Sequence, residues 1–282
     1  MDIATHAPTR RNNDLAYEYH PGGGTPLLLV HGVGSSRDTW TEVIEGLRAA
    51  GRAVIAIDLL GHGESGQGNG DFSLSANASG MRDLLDHLGI DRAHVVGHSL
   101  GGGVTMQFQY LFPQRVASVT LVSSGGLGNE VSVGLRAASL PGSEVVISAI
   151  TSDRVIGWCR SLNEKGVGGN VLSERSIEKL QRLKCKSRQR AFLSTVRNVV
   201  GPSGQLVNAV DKFSAITDPS ELLIIWGDSD AILPLTHGVR AHQLLPGSRF
   251  VVVPDAGHHP HEEDPDLVAA AILQHVSDVE RT

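Results

Sequence analysis

A serine stands between two glycines in the stretch HVVGHSLGGGV, where Gly97 and Gly101 flank Ser99 at two positions on either side. A nucleophilic serine on a tight strand-to-helix turn needs this spacing, because larger side chains would strike the strand or the helix. Small residues also let a helix pack closely on a sheet, so the pattern alone leaves both interpretations open.

A serine hydroxyl is a poor nucleophile at neutral pH, and it needs a histidine base that a carboxylate orients. His258 lies in PDAGHHPHEEDP, after the apolar run at 248–254 that is predicted as the last strand. Asp228 and Asp230 lie in WGDSDAILP, after the preceding run. The chain order is therefore serine, aspartate, histidine, with two aspartates as candidates.

Negative charge that develops on a substrate oxygen requires backbone N–H donors. The N–H of Leu100 lies at the start of the helix predicted after Ser99, where unpaired donors and the helix dipole favour an anion. We expect a second donor from the loop HGVG, with the N–H of Val33 as the candidate. These two groups form the predicted oxyanion hole.

Apolar runs alternate with helical patterns around these residues. Strands are predicted at 27–30, 53–57, 93–97, 116–124, 221–227 and 248–254, and helices at 38–50 with Asp38 as the N-cap, 74–89, 99–112, 236–245 and 264–276. Strands that are apolar throughout, each followed by a helix, indicate a parallel sheet covered on both faces. In such sheets ligands bind beyond the carboxyl ends of the strands, where the chemistry-bearing residues fall.

The strand–helix alternation stops between residues 125 and 219, so this stretch is interpreted as an insertion into the sheet. The first 14 residues lack the apolar segment of a secretory signal, and they are predicted to be a flexible N-terminus.

Five segments together resemble the alpha/beta-hydrolase-fold serine hydrolases: LLLVHGVG, DLLGHGES, VVGHSLGGG, IIWGDSDAILP and PDAGHHPHEEDP, in this order. The resemblance implies an α/β fold with an eight-stranded, mostly parallel sheet, helices on both faces and a helical cap inserted after the sixth strand. The implied organisation is a flexible N-terminus at 1–14, a core at 15–124 and 219–282, and a cap or lid at 125–218.

The same resemblance assigns roles to individual residues. Ser99 is the nucleophile. The family's acid closes a G-x-x-D motif with a proline four residues on, which favours Asp230 over Asp228. Its base is the histidine directly after a glycine, which favours His258 over His259. The resemblance implies no metal ion and no organic cofactor.

Other residues near the mouth of the site have two interpretations. His31, Gly32 and His98 are candidates for substrate contact, although histidines such as His31 and His62 usually brace loops through hydrogen bonds in this fold, and His98 fits packing beneath the turn. The run HHPHEED does not have the ligand spacing of a zinc site, because Pro260 interrupts it.

The stretch 173–200 is basic and amphipathic, with eight Lys or Arg residues against two Glu. Ser173 and Ser176 are candidate helix caps. The stretch is interpreted as a solvated outer face of the cap. The alternative is a patch, including Arg182 and Arg188, that steers an anionic substrate, a carrier-bound acyl group or a membrane surface.

Bulk composition excludes several classes of function. The net charge of −6 over 282 residues argues against non-specific nucleic-acid binding. Cys159 and Cys185 form neither a C-x-x-C motif nor a disulfide framework. No apolar run is long enough to span a membrane. We expect a cytoplasmic protein with a small-molecule substrate, without nucleic acid or stable membrane insertion; the oligomeric state, including a homodimer, stays open.

Serine at the turn argues against the dehalogenases and epoxide hydrolases of this fold, which resemble the chain but use aspartate there. We expect hydrolysis of a carboxylic ester of a small or medium apolar substrate through an acyl-enzyme. A carbon–carbon bond hydrolase, a cofactor-free perhydrolase and an acyl thioesterase are the enzyme alternatives, although the first commonly carries a tryptophan soon after the histidine. A non-enzymatic ligand receptor on the same fold is the remaining alternative, and the intact serine, aspartate and histidine argue against it.

Overall fold

One large sheet forms the centre of the protein, for which a computed structural model describes residues 10–12, 14–67, 69–164, 177, 180–210 and 218–281. The strands within these residues are β1 Arg10–Asn12, β2 Leu15–His20, β3 Gly23–Val30, β4 Arg52–Ile57, β5 Ala93–His98, β6 Val116–Val122, β7 Val200–Gly201, β8 Gly204–Gln205, β9 Leu222–Gly227 and β10 Arg249–Val253. Eight of them form one sheet in the order β1-β2-β4-β3-β5-β6-β9-β10. Neighbours from β4 to β10 pair in parallel, and β2 pairs antiparallel with both β1 and β4. The predicted eight-stranded, mostly parallel sheet is confirmed.

Helices cover both faces of this sheet, and four more lie in the segment between β6 and β9. Among the described residues the helices are α1 Thr41–Ala49, α2 Leu74–Leu88, α3 Leu100–Leu111, α4 Val133–Ser139, α5 Ser143–Ile150, α6 Asp153–Glu164, α7 Lys186–Val199, α8 Leu235–Leu244, α9 Pro260–Glu263 and α10 Pro265–Arg281. The bounds of α2 have a clear local cause. The Ser73 hydroxyl accepts the N–H of Ala76 at 3.1 Å at its start, and Gly89 adopts a φ of 65° at its end.

Alternate residues of β3 face two separate cores because side chains along a strand point to opposite faces. Leu28 and Val30 belong to the core that includes α2 and α3, whereas Leu27 and Leu29 belong to the core with α1 and α10. All four are fully buried, so an apolar run without polar interruption is what this position in the sheet requires.

The N-terminal part of the sheet corrects the predicted flexible segment 1–14. Residues 1–9 and 13 lie outside the described residues, but Arg10–Asn12 form β1, which pairs with β2. The strand β2, LAYEYH, is also absent from the predicted elements, because its short alternating pattern precedes the apolar runs on which the predictions depend.

The start of α1 is a second correction. Residues Arg37–Trp40 form a 3-10 turn, and the α-helix begins only at Thr41. Asp38 therefore lies inside the turn and is not the N-cap. Its carboxylate instead accepts a hydrogen bond from the hydroxyl of Ser36 at 2.9 Å.

After β6 the chain leaves the sheet, and the next described residues that pair with it are those of β9, as the loss of alternation predicts. Helices α4 to α7 and the β7–β8 hairpin lie in this insertion. The predicted caps Ser173 and Ser176 lie outside the described residues. None of the described helices combines the length and apolar character needed to cross a bilayer.

Candidate active site

Ser99 occupies a strained turn between β5 and α3. Its φ of 53° and ψ of −115° lie in a region that costs a non-glycine residue roughly 1–3 kcal/mol. The turn is held by the Ser99 N–H, which donates to the Val122 carbonyl at 3.0 Å, and by the Gly125 N–H, which donates to the Ser99 carbonyl at 2.9 Å. The surrounding sheet thus imposes a backbone conformation that places Ser99, although buried, at the lining of two cavities beyond the strand end.

Both flanking glycines are required by close packing. A Cβ at Gly97 would overlap the carbonyl of Gly101, and a Cβ at Gly101 would overlap the carbonyl of Val30. Both obstacles are backbone atoms, which cannot rotate away. The glycines therefore serve the turn and the approach of α3 to the sheet together.

The loops after β9 and β10 bring a carboxylate and an imidazole to Ser99. The Nε2 atom of His258 lies 2.9 Å from the Ser99 hydroxyl, and its Nδ1 atom lies 2.8 Å from the Asp230 carboxylate. The side chain of Asp230 is fully buried. These distances match the geometry expected for a serine nucleophile, a histidine base and an orienting carboxylate.

The two candidate aspartates differ in their surroundings. The second oxygen of Asp230 accepts the N–H groups of Ile232 at 2.8 Å and Leu233 at 2.9 Å, which orient its carboxylate toward the imidazole. Asp228 is exposed, and its carboxylate accepts a hydrogen bond from the hydroxyl of Ser229. Only Asp230 is bonded to His258.

The two expected oxyanion donors flank Ser99. Leu100 is the first residue of α3, so its N–H has no helical carbonyl to bond. Val33 and Ser99 line the same two cavities. The approach of the HGVG loop favours Gly32, because a Cβ there would lie 2.9 Å from Nδ1 of His98 and 3.1 Å from the Ser99 Cβ.

His31 braces this loop, which is one of the two interpretations that the sequence left open for it. Its side chain is fully buried, its Nδ1 donates to the Gly32 carbonyl at 2.7 Å, and its Nε2 accepts the Leu59 N–H at 3.0 Å. Burial lowers the pKa of His31 to about 4, so the ring is neutral and can both donate and accept. The Asp58 carboxylate likewise fixes the loops that follow β3 and β4, because it accepts the backbone N–H groups of Arg37 at 2.7 Å and Glu64 at 2.9 Å.

His98 supports the loop that carries the base. Its Nε2 lies 2.8 Å from the carbonyl of His258, so Nε2 is the nitrogen that carries the proton. Burial, reinforced by the neighbouring imidazoles of His261, His259 and His258, holds the pKa of His98 well below its usual value. Sequence reasoning missed this contact because it joins residues 160 positions apart and leaves no local signal.

Two cavities meet at Ser99. The inner cavity, of about 50 Å³, is lined mostly by apolar side chains, among them Leu74, Val131, Val196, Val199, Val207 and Leu233. The outer cavity, of about 320 Å³, is lined by Gly32, Ser35, His98, His258 and His259 together with Leu180, Leu183, Phe192 and Ile232. Val33, Ser99 and Leu135 line both cavities, whereas His258 lines the outer cavity alone.

The basic stretch of the insertion is tied to the core. The Arg182 guanidinium donates to the Ser36 hydroxyl and, at 3.0 Å, to the Asp38 carboxylate. Arg188 donates to the carbonyl of Gly63 at 3.0 Å. These two arginines therefore join the insertion to the loops that follow β3 and β4.

A family model described as the alpha/beta hydrolase family matches residues 27–271. The chain belongs to the alpha/beta hydrolase family. An uncharacterised protein of Mycobacterium tuberculosis is 41% identical over 254 residues, which cover 86% of this chain and 73% of that protein. The acetyltransferase (dihydrolipoyllysine-residue) component of the acetoin cleaving system of Pseudomonas putida is 31% identical over 268 residues, 91% of this chain and 65% of that protein.

Among solved structures, this alpha/beta hydrolase is similar to a thermophilic esterase from Thermogutta terrifontis. The TM-score is 0.72 with 24% sequence identity, over 97% of this chain and 99% of that one, a likeness that concerns the fold. Family membership supports a hydrolase acting on a small molecule. Within the described part of the chain no group of three or more His, Cys, Asp or Glu side chains is arranged to hold a metal ion.

Proposed function

We propose that this alpha/beta hydrolase is a serine esterase that cleaves a carboxylic ester of a small or medium apolar substrate. One observation carries the proposal. The imidazole of His258 bridges the Ser99 hydroxyl at 2.9 Å and the buried Asp230 carboxylate at 2.8 Å, beside two cavities that can hold the two halves of an ester.

In the first step, the Ser99 oxygen attacks the ester carbonyl carbon while Nε2 of His258 takes the hydroxyl proton. The tetrahedral intermediate collapses as the carbon–oxygen bond to the alcohol breaks. His258 delivers its proton to the departing alkoxide oxygen, and the acyl group stays on Ser99. Asp230 stabilises the imidazolium that exists between these two proton transfers.

In the second step, His258 takes a proton from a water molecule, whose oxygen attacks the acyl carbon. The bond to Ser99 then breaks, and His258 returns the proton to the serine oxygen, so the enzyme is regenerated and a carboxylic acid leaves. In both intermediates the N–H groups of Val33 and Leu100 are proposed to stabilise the oxyanion, a donor of this kind being worth about 10²–10³ in kcat.

The insertion is proposed to act as the cap of this site, at residues 125–218. Its described residues Leu135, Leu180, Leu183, Phe192 and Val196 line the cavities beside Ser99. Substrate selection would then depend on side chains from this segment as well as from the core.

Thioester cleavage is a second candidate, supported by the 31% identity with a protein named as a dihydrolipoyllysine-residue acetyltransferase component. The same proton transfers serve a thiolate leaving group. A comparison of kcat/KM for paired oxygen and sulfur esters of the same acyl group separates the two candidates.

The proposal is tested by p-nitrophenyl acetate hydrolysis and by covalent labelling with a serine-directed phosphonate. We expect Ser99→Ala to lose both, and Ser187→Ala, an exposed serine of α7, to retain both. Full hydrolysis by Ser99→Ala would refute the proposal. Binding of esters without turnover by the unaltered chain would instead favour the receptor alternative.

A further inference from the structure

The position of His258 separates the roles of the two cavities, provided that the proposed esterase mechanism holds. The atom that leaves Ser99 must receive its proton from His258, and the attacking water must give its proton to the same ring. His258 lines the outer cavity and not the inner one. The leaving alcohol therefore departs through the outer cavity, and the acyl chain that remains on Ser99 lies in the inner cavity.

The size of the inner cavity limits that acyl chain. An apolar cavity of about 150 Å³ holds a benzene ring of six carbons. The inner cavity of about 50 Å³ therefore has space for roughly two carbons beyond the carbonyl, three at the limit. An aromatic acyl group and a long fatty acyl chain are both too large.

The lining of the inner cavity indicates an uncharged acyl chain. Among the described residues that line it, the polar ones are Ser99 and Gln205. The Gln205 oxygen accepts the Gly126 N–H at 2.7 Å, and one of its two amide N–H groups donates to the Glu130 carbonyl at 3.0 Å, so a single amide N–H of this side chain is left for a substrate. A carboxylate on the acyl chain would lie mostly among apolar groups, and none of the described lining residues is a cation that could pair with it, which is unfavourable.

We infer that the enzyme is selective for esters of short, uncharged, saturated acids, from acetyl to butyryl, and carries the bulk of its substrate on the alcohol side. The outer cavity, more than sixfold larger than the inner one at about 320 Å³, accepts that alcohol. Its lining includes the polar side chains of Ser35, His98 and His259, so a hydrogen-bonding alcohol is compatible with it.

The test measures kcat/KM for p-nitrophenyl acetate, butyrate, hexanoate, octanoate and benzoate. We expect the maximum at acetate or butyrate and a fall of about tenfold or more at octanoate and at benzoate, because even one methylene too many in a pocket is discriminated by about 10–200-fold. An equal rate for octanoate and butyrate, or efficient benzoate hydrolysis, would overturn the inference.

Two variants change the inner cavity in opposite directions. Val196→Ala enlarges it, and we expect the ratio of hexanoate to acetate hydrolysis to rise by about tenfold. Gly103→Ala places a methyl group 3.6 Å from the Leu74 side chain, an ordinary contact that narrows the cavity without a clash, and the same ratio should fall. Gly157→Ala on α6 is the matched control, because its added Cβ meets nothing within 4 Å, and it should leave the ratio unchanged.

The outcomes separate this inference from the esterase proposal. If Ser99→Ala is inactive but Val196→Ala and Gly103→Ala leave the chain-length ratio unaltered, the assignment of the inner cavity is wrong and the esterase stands. If Ser99→Ala retains activity, the proposed mechanism itself is wrong, and the assignment that depends on it is withdrawn.

Discussion

Replacement of Asp230 by asparagine should abolish catalysis while leaving the fold intact. One carboxylate oxygen of Asp230 accepts two backbone N–H groups, at 2.8 and 2.9 Å, so the asparagine oxygen must take that position. The amide nitrogen then faces Nδ1 of His258, which now lies 2.8 Å from the other carboxylate oxygen. Because the amide nitrogen only donates, Nδ1 must become the acceptor, and the ring proton moves to Nε2. In that tautomer the imidazole cannot accept the proton of Ser99.

The same substitution in the triad of serine proteases lowers kcat by about 10⁴ through a wrong tautomer, and we expect a loss of that order here. Asparagine matches aspartate in shape and keeps the two backbone hydrogen bonds. The free energy of unfolding should therefore change by less than about 1–2 kcal/mol. The assay is p-nitrophenyl acetate hydrolysis for kcat, together with urea denaturation for stability.

The control is Asp228→Asn, two residues away on the same loop. Asp228 is exposed and has no bond to the imidazole, so its replacement should leave kcat within about twofold of the original. A kcat for Asp230→Asn within tenfold of the unaltered enzyme would refute the argument from amide orientation, and so would a loss confined to Asp228→Asn.

Three further predictions concern packing, the insertion and pH. Gly101→Ala would push a Cβ into the Val30 carbonyl, and we expect urea denaturation to show a loss of about 1–3 kcal/mol or no folded protein; unchanged stability would contradict the packing argument. Arg182→Glu removes a half-exposed ion pair and should lower stability by less than about 1 kcal/mol, with equal changes in kcat/KM for neutral and anionic esters, whereas a selective loss for anionic esters would restore a steering role. Burial lowers the pKa of His31 and His62 from 6.5 to about 4. Between pH 6.5 and pH 4 the unfolded chain therefore binds more protons than the folded chain. The free energy of unfolding should fall as the pH decreases through this window, by up to about 3 kcal/mol for each ring. Equilibrium denaturation at several pH values checks this. The free energy of unfolding of His62→Gln should depend less steeply on pH, and a free energy of unfolding of the unaltered chain that does not change with pH would contradict the prediction.

The central strands and most helices were predictable because their signals are local. An uninterrupted apolar run such as LLLV indicates a strand buried on both faces. Gly89 ends α2 because glycine readily adopts the left-handed conformation that closes a helix. The N-terminal strands and the start of α1 were not predictable in this way. LAYEYH forms a strand because it pairs with β4. Asp38 lies in a 3-10 turn, where its carboxylate contacts Ser36, and not at the N-cap of α1. Both outcomes depend on partners that no local window contains.

Residue types and their order along the chain determined by themselves which groups could do chemistry. A glycine-flanked serine, an acid and a histidine each follow one of the apolar runs, and parallel strands bring their ends to one edge. The family motif already favoured Asp230 over Asp228. Only the tertiary structure decided that His31 is buried beneath the loop, that His98 contacts the carbonyl of His258, and how much space lies on each side of Ser99. These properties arise from contacts between segments far apart in the chain, where a shift of one side chain changes a distance or a volume without changing any local pattern.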